Sequence, residues 1–386
     1  MAMSESLMKY EIDCILYIQD KFRDIEPLLE LIGRQCHPTN AQFIIGPFLA
    51  ALTGESLTEM MLAMTFSDFI SQMMKWLLRE DRPFWWVHET HLYTDANRPK
   101  LRHHPLTCRA TAGGPSGHSS IMTVILYLHG RWLVNFLEKK TRTDRDLLNC
   151  VVFSVVSVVL ILTWISGAYF GSYFFHQGVT GTTLALSVLT SFEQGEFRQE
   201  IFHADRKRAF TFAIGAVLTA ATIYIGMVRM DIDPMWSVRM AFKWCDNIDY
   251  LKPEFAPIYN LVKSIGSMFG IALCAPLRKK LAPSPNMWKS VPITVCFLFL
   301  DNFLLARTPK DHGASVFLIW VFGVSLFHSY AMIELVPKLA NWGESPPPSP
   351  PNFPQIPHMK HRRSTFPRNT SDQSVLWGIP GPSTSR

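Results

Sequence analysis

Two short stretches of this chain, one with cations and one with glycines, have spacings suited to holding a phosphate group. The first runs Lys75-Trp76-Leu77-Leu78-Arg79-Glu80-Asp81-Arg82-Pro83, ahead of Phe84-Trp85-Trp86-Val87. Lys75 and Arg82 are seven residues apart, two helical turns, so a continuous helix would put both on one face. Arginine offers an anion a bidentate fork and lysine a point charge. The plainer use of both is anchoring at a membrane interface beside the two tryptophans. The second stretch is Gly113-Gly114-Pro115-Ser116-Gly117-His118-Ser119-Ser120. Glycines ahead of a helix start let backbone N–H groups approach an anion, and the helix N-terminus favours negative charge. Ser116 adds a hydroxyl. His118 is suited to protonate a leaving oxygen, because an imidazole titrates near neutral pH. The plainer alternative is a helix N-cap followed by a core histidine.

Such groups need rigid elements to hold them, and the chain's texture says which. Of its 386 residues 48% are hydrophobic and 18% charged, against about 25% charged in soluble domains. Long apolar runs such as Val151–Ile165 and Ala209–Val228 alternate with short basic stretches. A bilayer core asks for roughly 20 apolar residues per helix, and lipid-exposed backbone must be helical. The expectation is an all-α polytopic membrane protein of about nine transmembrane helices, at 26–48, 56–78, 117–137, 147–165, 168–191, 209–229, 255–275, 290–306 and 314–336. The first is the weakest, interrupted by Arg34, His37 and Asn40. Residues 1–340 would form this membrane domain, and 341–386, rich in Pro, Ser and Arg, a disordered cytosolic tail.

Orientation follows from basic loops. Lys139, Lys140, Arg142 and Arg145 occupy one connection, Arg206, Lys207 and Arg208 another, and Arg278, Lys279 and Lys280 a third. These are alternate loops, which the positive-inside rule makes cytosolic. The C-terminus falls on the same side and the N-terminus opposite, in the lumen. The 79–116 connection is then lumenal although it carries Arg79, Arg82, Arg98, Arg102 and Arg109. Translocated cations at that density need another reason to exist, and an anionic ligand is one. The net charge of +6 is explained by this clustering at helix ends and in the tail, so no nucleic-acid partner is expected. Met1–Gln19 mixes charges into its apolar residues and lacks the form of a cleavable signal. Seven cysteines form neither a Cys-x-x-Cys pair nor a zinc spacing. Cys108 and Cys245 both fall in lumenal loops, which leaves a disulfide between them open. The sequon Asn369-Thr370-Ser371 lies in the tail, where it would stay unmodified.

Lys-x6-Arg-Pro followed by Pro-Ser-Gly-His resembles the first two signature motifs of the type-2 phosphatidic-acid-phosphatase and haloperoxidase superfamily. More narrowly, Phe84-Trp85-Trp86-Val87, Thr107-Cys108, Trp244-Cys245 and the run Leu261-Val262-Lys263-Ser264-Ile265-Gly266-Ser267-Met268-Phe269-Gly270 are similar to glucose-6-phosphatases. The similarity extends from about Ile15 to Ala340. It implies the phosphatase helical core and hydrolysis of glucose 6-phosphate on the lumenal face of the endoplasmic reticulum membrane, a step of gluconeogenesis. It also implies a phosphohistidine intermediate, no metal or other cofactor, and a sugar phosphate as ligand, with a sugar-phosphate transporter as a further partner. By that carry-over Lys75, Arg82, Ser116 and Gly117 cradle the phosphate and His118 is the general acid.

The third motif departs from the pattern. The family has Ser-Arg, five residues, then the nucleophilic histidine. The matching stretch here is Ser166-Gly167-Ala168-Tyr169-Phe170-Gly171-Ser172-Tyr173-Phe174-Phe175-His176-Gln177. The arginine falls on Gly167 and the nucleophile on Tyr173. A phenol of pKa about 10 needs activation that an imidazole does not. His176, three residues on, is the nearest substitute, although the family carries a second histidine there as well. Two readings follow: a glucose-6-phosphatase whose third station is rebuilt around Tyr173 or His176, or an inactive or impaired relative that binds a phosphorylated ligand or a partner.

Overall fold

The computed structural model describes residues 5–53, 57–102, 104–245, 247–252, 256–277 and 287–342. Among these there is helix and no strand. Helix α1 (Glu5–Lys21) precedes a broken segment made of α2 (Glu26–Gln35), α3 (Pro38–Asn40), a π-helical stretch (Ala41–Ile45) and α4 (Gly46–Thr53). Next come α5 (Leu57–Leu78), the short α6 (Pro83–Glu89), α7 (Gly117–Thr141), α8 (Arg145–Tyr169) and α9 (Phe175–Glu193). The chain continues through α10 (Gly195–His203), α11 (Arg206–Arg229), α12 (Trp236–Trp244) and α13 (Pro257–Leu273). It closes with α14 (Met287–Ala306), α15 (Ala314–Tyr330), a second π-helical stretch (Ala331–Leu335) and α16 (Val336–Ala340).

Helix thus occupies most of each segment expected to span. Among the described residues, five stretches are long and apolar enough to cross a bilayer: Gly117–Thr141, Arg145–Tyr169, Arg206–Arg229, Trp288–Ala306 and Ala314–Ala340. The chain is a multi-pass membrane protein. The remaining segments carry charged groups, several of which pair inside the bundle. In α5, Glu59 meets Arg131 at 2.9 Å and Arg198 at 3.3 Å, and Asp68 meets Lys263 of α13 at 3.2 Å. Ser264 also donates to Asp68 at 2.7 Å. Paired in this way, charges become tolerable in a low-dielectric interior. A second buried pair, His328 with Asp301 at 2.6 Å, joins α15 to α14.

Two differences from the sequence expectation, and one question it left open, bear on the site. The break expected at residues 166–167 lies instead at 170–174, because α8 runs on to Tyr169. Small residues let α8 press against α2, where the Ser166 hydroxyl donates to the Leu29 carbonyl at 2.7 Å. The helix then ends where Gly171 adopts φ +60°, a left-handed turn that favours glycine. Secondly, Lys75 and Arg82 do not share a helix face. Helix α5 stops at Leu78, Arg79 is left-handed (φ 51°), and Arg82 is extended at the start of α6. Proline at 83 disfavours a helical residue before it. Thirdly, Cys108 and Cys245 form a disulfide, Cα–Cα 5.8 Å, tying the 79–116 connection to the chain after α12. The expected disordered tail, the sequon at Asn369 and the basic cluster at 278–280 lie outside the described residues.

Helix α7 packs on α5, α8 and α9, and α13 packs on α5, α11 and α15. The C-terminal ends of α5 and α8 and the N-terminal ends of α7, α9 and α13 meet around the 79–116 connection, and the site forms at that junction.

Candidate functional site

A void of about 40 Å³ lies at this junction, lined by Lys75, Arg82, Arg109, His118, Tyr173, Ser116 and Gly117, with His37 and Asn260 from the broken segment and α13. Six of the seven residues singled out from sequence therefore meet at one void. The seventh, His176, does not line it. It sits on the first turn of α9, turned toward α1. There its Nδ1 lies 3.1 Å from the Glu11 carboxylate and its Nε2 3.6 Å from Glu80.

Neither cation of the first motif is an interfacial anchor, since both are buried. Lys75 donates to the Ala112 carbonyl at 2.8 Å. Arg82 Nε donates to the Thr111 carbonyl at 2.6 Å, and Nη2 to the Thr111 hydroxyl at 2.9 Å and the Ala112 carbonyl at 3.3 Å. Its Nη1 donates to the Ser172 carbonyl. The two cations thus meet at Ala112 despite the broken helix between them. Burial, then repulsion from Arg109, lowers the Arg82 guanidinium to about 9, which leaves it charged at neutral pH.

In the second motif both sequence alternatives have a share. Ser116 is the N-cap of α7, its hydroxyl accepting from the Ser119 N–H at 3.4 Å, and it also borders the void. Gly117 and His118 open the helix, where first-turn N–H groups lack intrahelical partners. The preceding glycines have a steric task rather than an anion-binding one. A Cβ on Gly113 would sit 2.5 Å from Gln177 Oε1, and one on Gly114 would overlap the Glu80 carboxylate. The Gly113 N–H is spent on the Glu80 carbonyl at 2.9 Å.

The third motif is where this chain is unusual. The Tyr173 ring lies directly on Gly167: a Cβ there would overlap ring carbons Cζ and Cε1 and come within 2.5 Å of the hydroxyl oxygen. That hydroxyl donates to the Thr163 carbonyl at 2.9 Å. The ring is 2% exposed, and its centroid lies 5.8 Å from that of His118. Tyrosine at 173 and glycine at 167 are therefore one packing solution.

Several residues that sequence reasoning missed hold the motifs together. Gln177 touches all three: its side-chain oxygen accepts from the Phe174 N–H at 3.0 Å, its amide donates to the Asp81 carbonyl at 2.8 Å, and its own carbonyl accepts from the Ser116 N–H at 2.9 Å. His37 meets His118 edge to face at 5.5 Å. Its signal was visible as one of the polar residues interrupting the first apolar segment. Beyond the void lies a vestibule of about 770 Å³, lined by Arg34, His37, Asn40, Arg109, Asp249, Lys252, Tyr259 and Asn302 among others.

A compact void bounded by two buried cations, a helix N-terminus and an imidazole, opening toward a polar vestibule, has the chemistry of a phosphate-ester site. The comparisons give the same class. Residues 56–200 match the PAP2 superfamily, and that stretch contains all three motifs. Over most of its length the chain resembles glucose-6-phosphatases. It is 25% identical over 343 residues to glucose-6-phosphatase catalytic subunit 1 of Haplochromis nubilus, covering 86% of this chain and 95% of that protein. The Felis catus protein of the same name is 24% identical over 328 residues, 83% and 91% of the two chains. Glucose-6-phosphatase 2 of Mus musculus is 27% identical over 263 residues, 67% and 73%. No solved structure gives a significant match.

Proposed function

We propose that this phosphatase-family membrane protein binds a sugar phosphate of the glucose 6-phosphate type in the void and vestibule, and that it lacks an efficient hydrolytic step. The observation that carries this reading is the Gly167–Tyr173 pair. At the position of the family's nucleophile stands a phenol whose hydroxyl is engaged by the Thr163 carbonyl and whose ring fills the space a side chain at 167 would need. Covalent catalysis needs a nucleophile beside a base that can activate it, and the other candidate, His176, is held by Glu11 and Glu80 away from the void. Lys75, Arg82, Ser116, Gly117 and His118 act as the binding apparatus. The basic loops of the sequence argue for a lumenal site, with the N-terminus lumenal and the C-terminus cytosolic, and the likeness to glucose-6-phosphatases argues for the endoplasmic reticulum membrane. A sugar-phosphate transporter in that membrane would supply the ligand.

The second reading, a working glucose-6-phosphatase, is favoured by one feature: His118 borders the void together with both buried cations, leaving a general acid where a leaving oxygen would lie. In that case Tyr173 or an activated water must act as nucleophile. Purified protein separates the two. On the first reading, phosphate and vanadate raise the thermal midpoint by mass action, while phosphate release from glucose 6-phosphate stays at the level of a His118→Ala control. Release well above that control establishes the second reading.

A further inference from the structure

The mutual packing of Gly167 and Tyr173 leaves the site without a cation from the third motif, yet the void does not lack a third charge. Arg109 is 5% exposed and lines three adjoining spaces. One is the void of about 40 Å³, shared with Lys75, Arg82 and His118. Another is a crevice of about 10 Å³ shared with Ser166, Gly167 and Tyr173. The last is the polar vestibule. Its side chain thus reaches the region of position 167 out of the 79–116 connection. The disulfide at the adjacent Cys108 fixes that part of the connection to Cys245.

We infer that Arg109 is the third cation of the phosphate site, supplying from the 79–116 connection the charge that position 167 cannot carry. This rests on the reading that the chain binds a phosphate monoester. Three considerations support it. Among the described residues that line the small void, none is a carboxylate, while Lys75, Arg82 and Arg109 are all cations. Arg82 and Arg109 are buried near enough to repel one another, a cost that a dianion between them would turn into attraction. Arg82 is also tied by its hydrogen bonds to Thr111, Ala112 and Ser172. It shapes the wall as much as it faces a ligand, so a dianion would gain from a further fork. Burial lowers Arg109 only to about 10, and it stays charged under working conditions. Because it borders both void and vestibule, Arg109 stands where a phosphate ester would pass from its anionic head to its polar body.

The test is equilibrium binding of inorganic phosphate to the purified full-length protein, read as the concentration dependence of the thermal midpoint. Arg109→Gln should weaken binding about tenfold, and Arg109→Lys, which keeps the charge but not the fork, about threefold. Adding Gly167→Arg and Tyr173→His to Arg109→Gln should restore the lost affinity by returning a cation from the other side. A residue that merely supports the fold would not be rescued in that way. If the wild type binds phosphate and Arg109→Gln binds it equally well, the inference is overturned while the proposed function stands. Absence of binding by the wild type overturns both. Should Arg109→Gln fail to fold, Arg109→Lys decides alone, and unchanged affinity there overturns the inference.

Discussion

Replacing Gly167 with alanine adds one methyl group, and its effect can be worked out from the structure. The new Cβ would overlap the Tyr173 ring and lie 2.5 Å from its hydroxyl oxygen, about 1 Å inside ordinary contact. The ring must therefore swing away, and in doing so it releases the Thr163 carbonyl that it now holds at 2.9 Å. Overpacking a core costs about 1–3 kcal/mol, and stranding a buried hydrogen-bonding group costs a similar amount. A loss of about 3 kcal/mol is expected. For a chain of this size that is a fall in thermal midpoint of about 4 °C. In a Tyr173→Ala background the same methyl group enters vacated space and should cost almost nothing, giving a large coupling energy. The assay is thermal unfolding of all four proteins in detergent, followed by monodisperse yield. A fall below about 2 °C for Gly167→Ala in the wild type, or an equal fall in both backgrounds, would refute the interlocked pair. The same geometry says that Gly167→Arg alone misfolds, whereas Gly167→Arg with Tyr173→His folds and gains hydrolysis well beyond the two single changes.

Gln177→Leu should lower both midpoint and phosphate affinity, since it removes two side-chain hydrogen bonds, one within the third motif and one joining it to the first. The comparison is with Gln194→Leu, at the exposed end of α9. Asp68→Asn strands the buried Lys263 cation and should cost about 3–5 kcal/mol, measured as loss of folded yield and recovered in part by Lys263→Met. Burial, then repulsion from Glu89, raises the Asp81 carboxyl to about 6. The folded state therefore binds the proton more tightly than the unfolded one, and stability falls as pH rises from about 4 to about 6. Asp81→Asn should flatten that part of the pH–midpoint curve and raise the midpoint at pH 7, and an unchanged difference from wild type across that range would contradict it. Tags at the two termini, probed after selective plasma-membrane permeabilisation, should be accessible only at the C-terminus, and equal accessibility would contradict the orientation.

The helical layout was legible because apolar runs of bilayer length are set apart by basic loops, and Val151–Ile165 could hardly be anything else. What escaped was local. The interruption in the first apolar segment was visible as Arg34, His37 and Asn40, but no spacing rule says that such a helix breaks into α2, α3 and α4 and brings His37 to His118. The end of α5 at Leu78 matches the expected span, but no residue-type signal announced the left-handed Arg79 that takes Arg82 off the face of Lys75. The two motifs were legible because their residues are few and close in sequence. Gln177 was not, since it acts across long separations that only the folded chain brings together; Arg109 stood out only as one of several translocated cations, and its meeting with Lys75 and Arg82 needed the fold. Gly167 and Tyr173 could be read as two losses, yet their contact as one packing unit became visible only with coordinates.

The most direct test of a binding site without a nucleophile is to follow radiolabelled glucose 6-phosphate with purified protein, measuring bound ligand and released phosphate in one sample. The expected result is saturable binding, weakened by Arg109→Gln, with no release above the His118→Ala control and no acid-labile phosphoenzyme. Multiple turnovers that depend on His118, or a phosphoenzyme trapped on any residue, would contradict it.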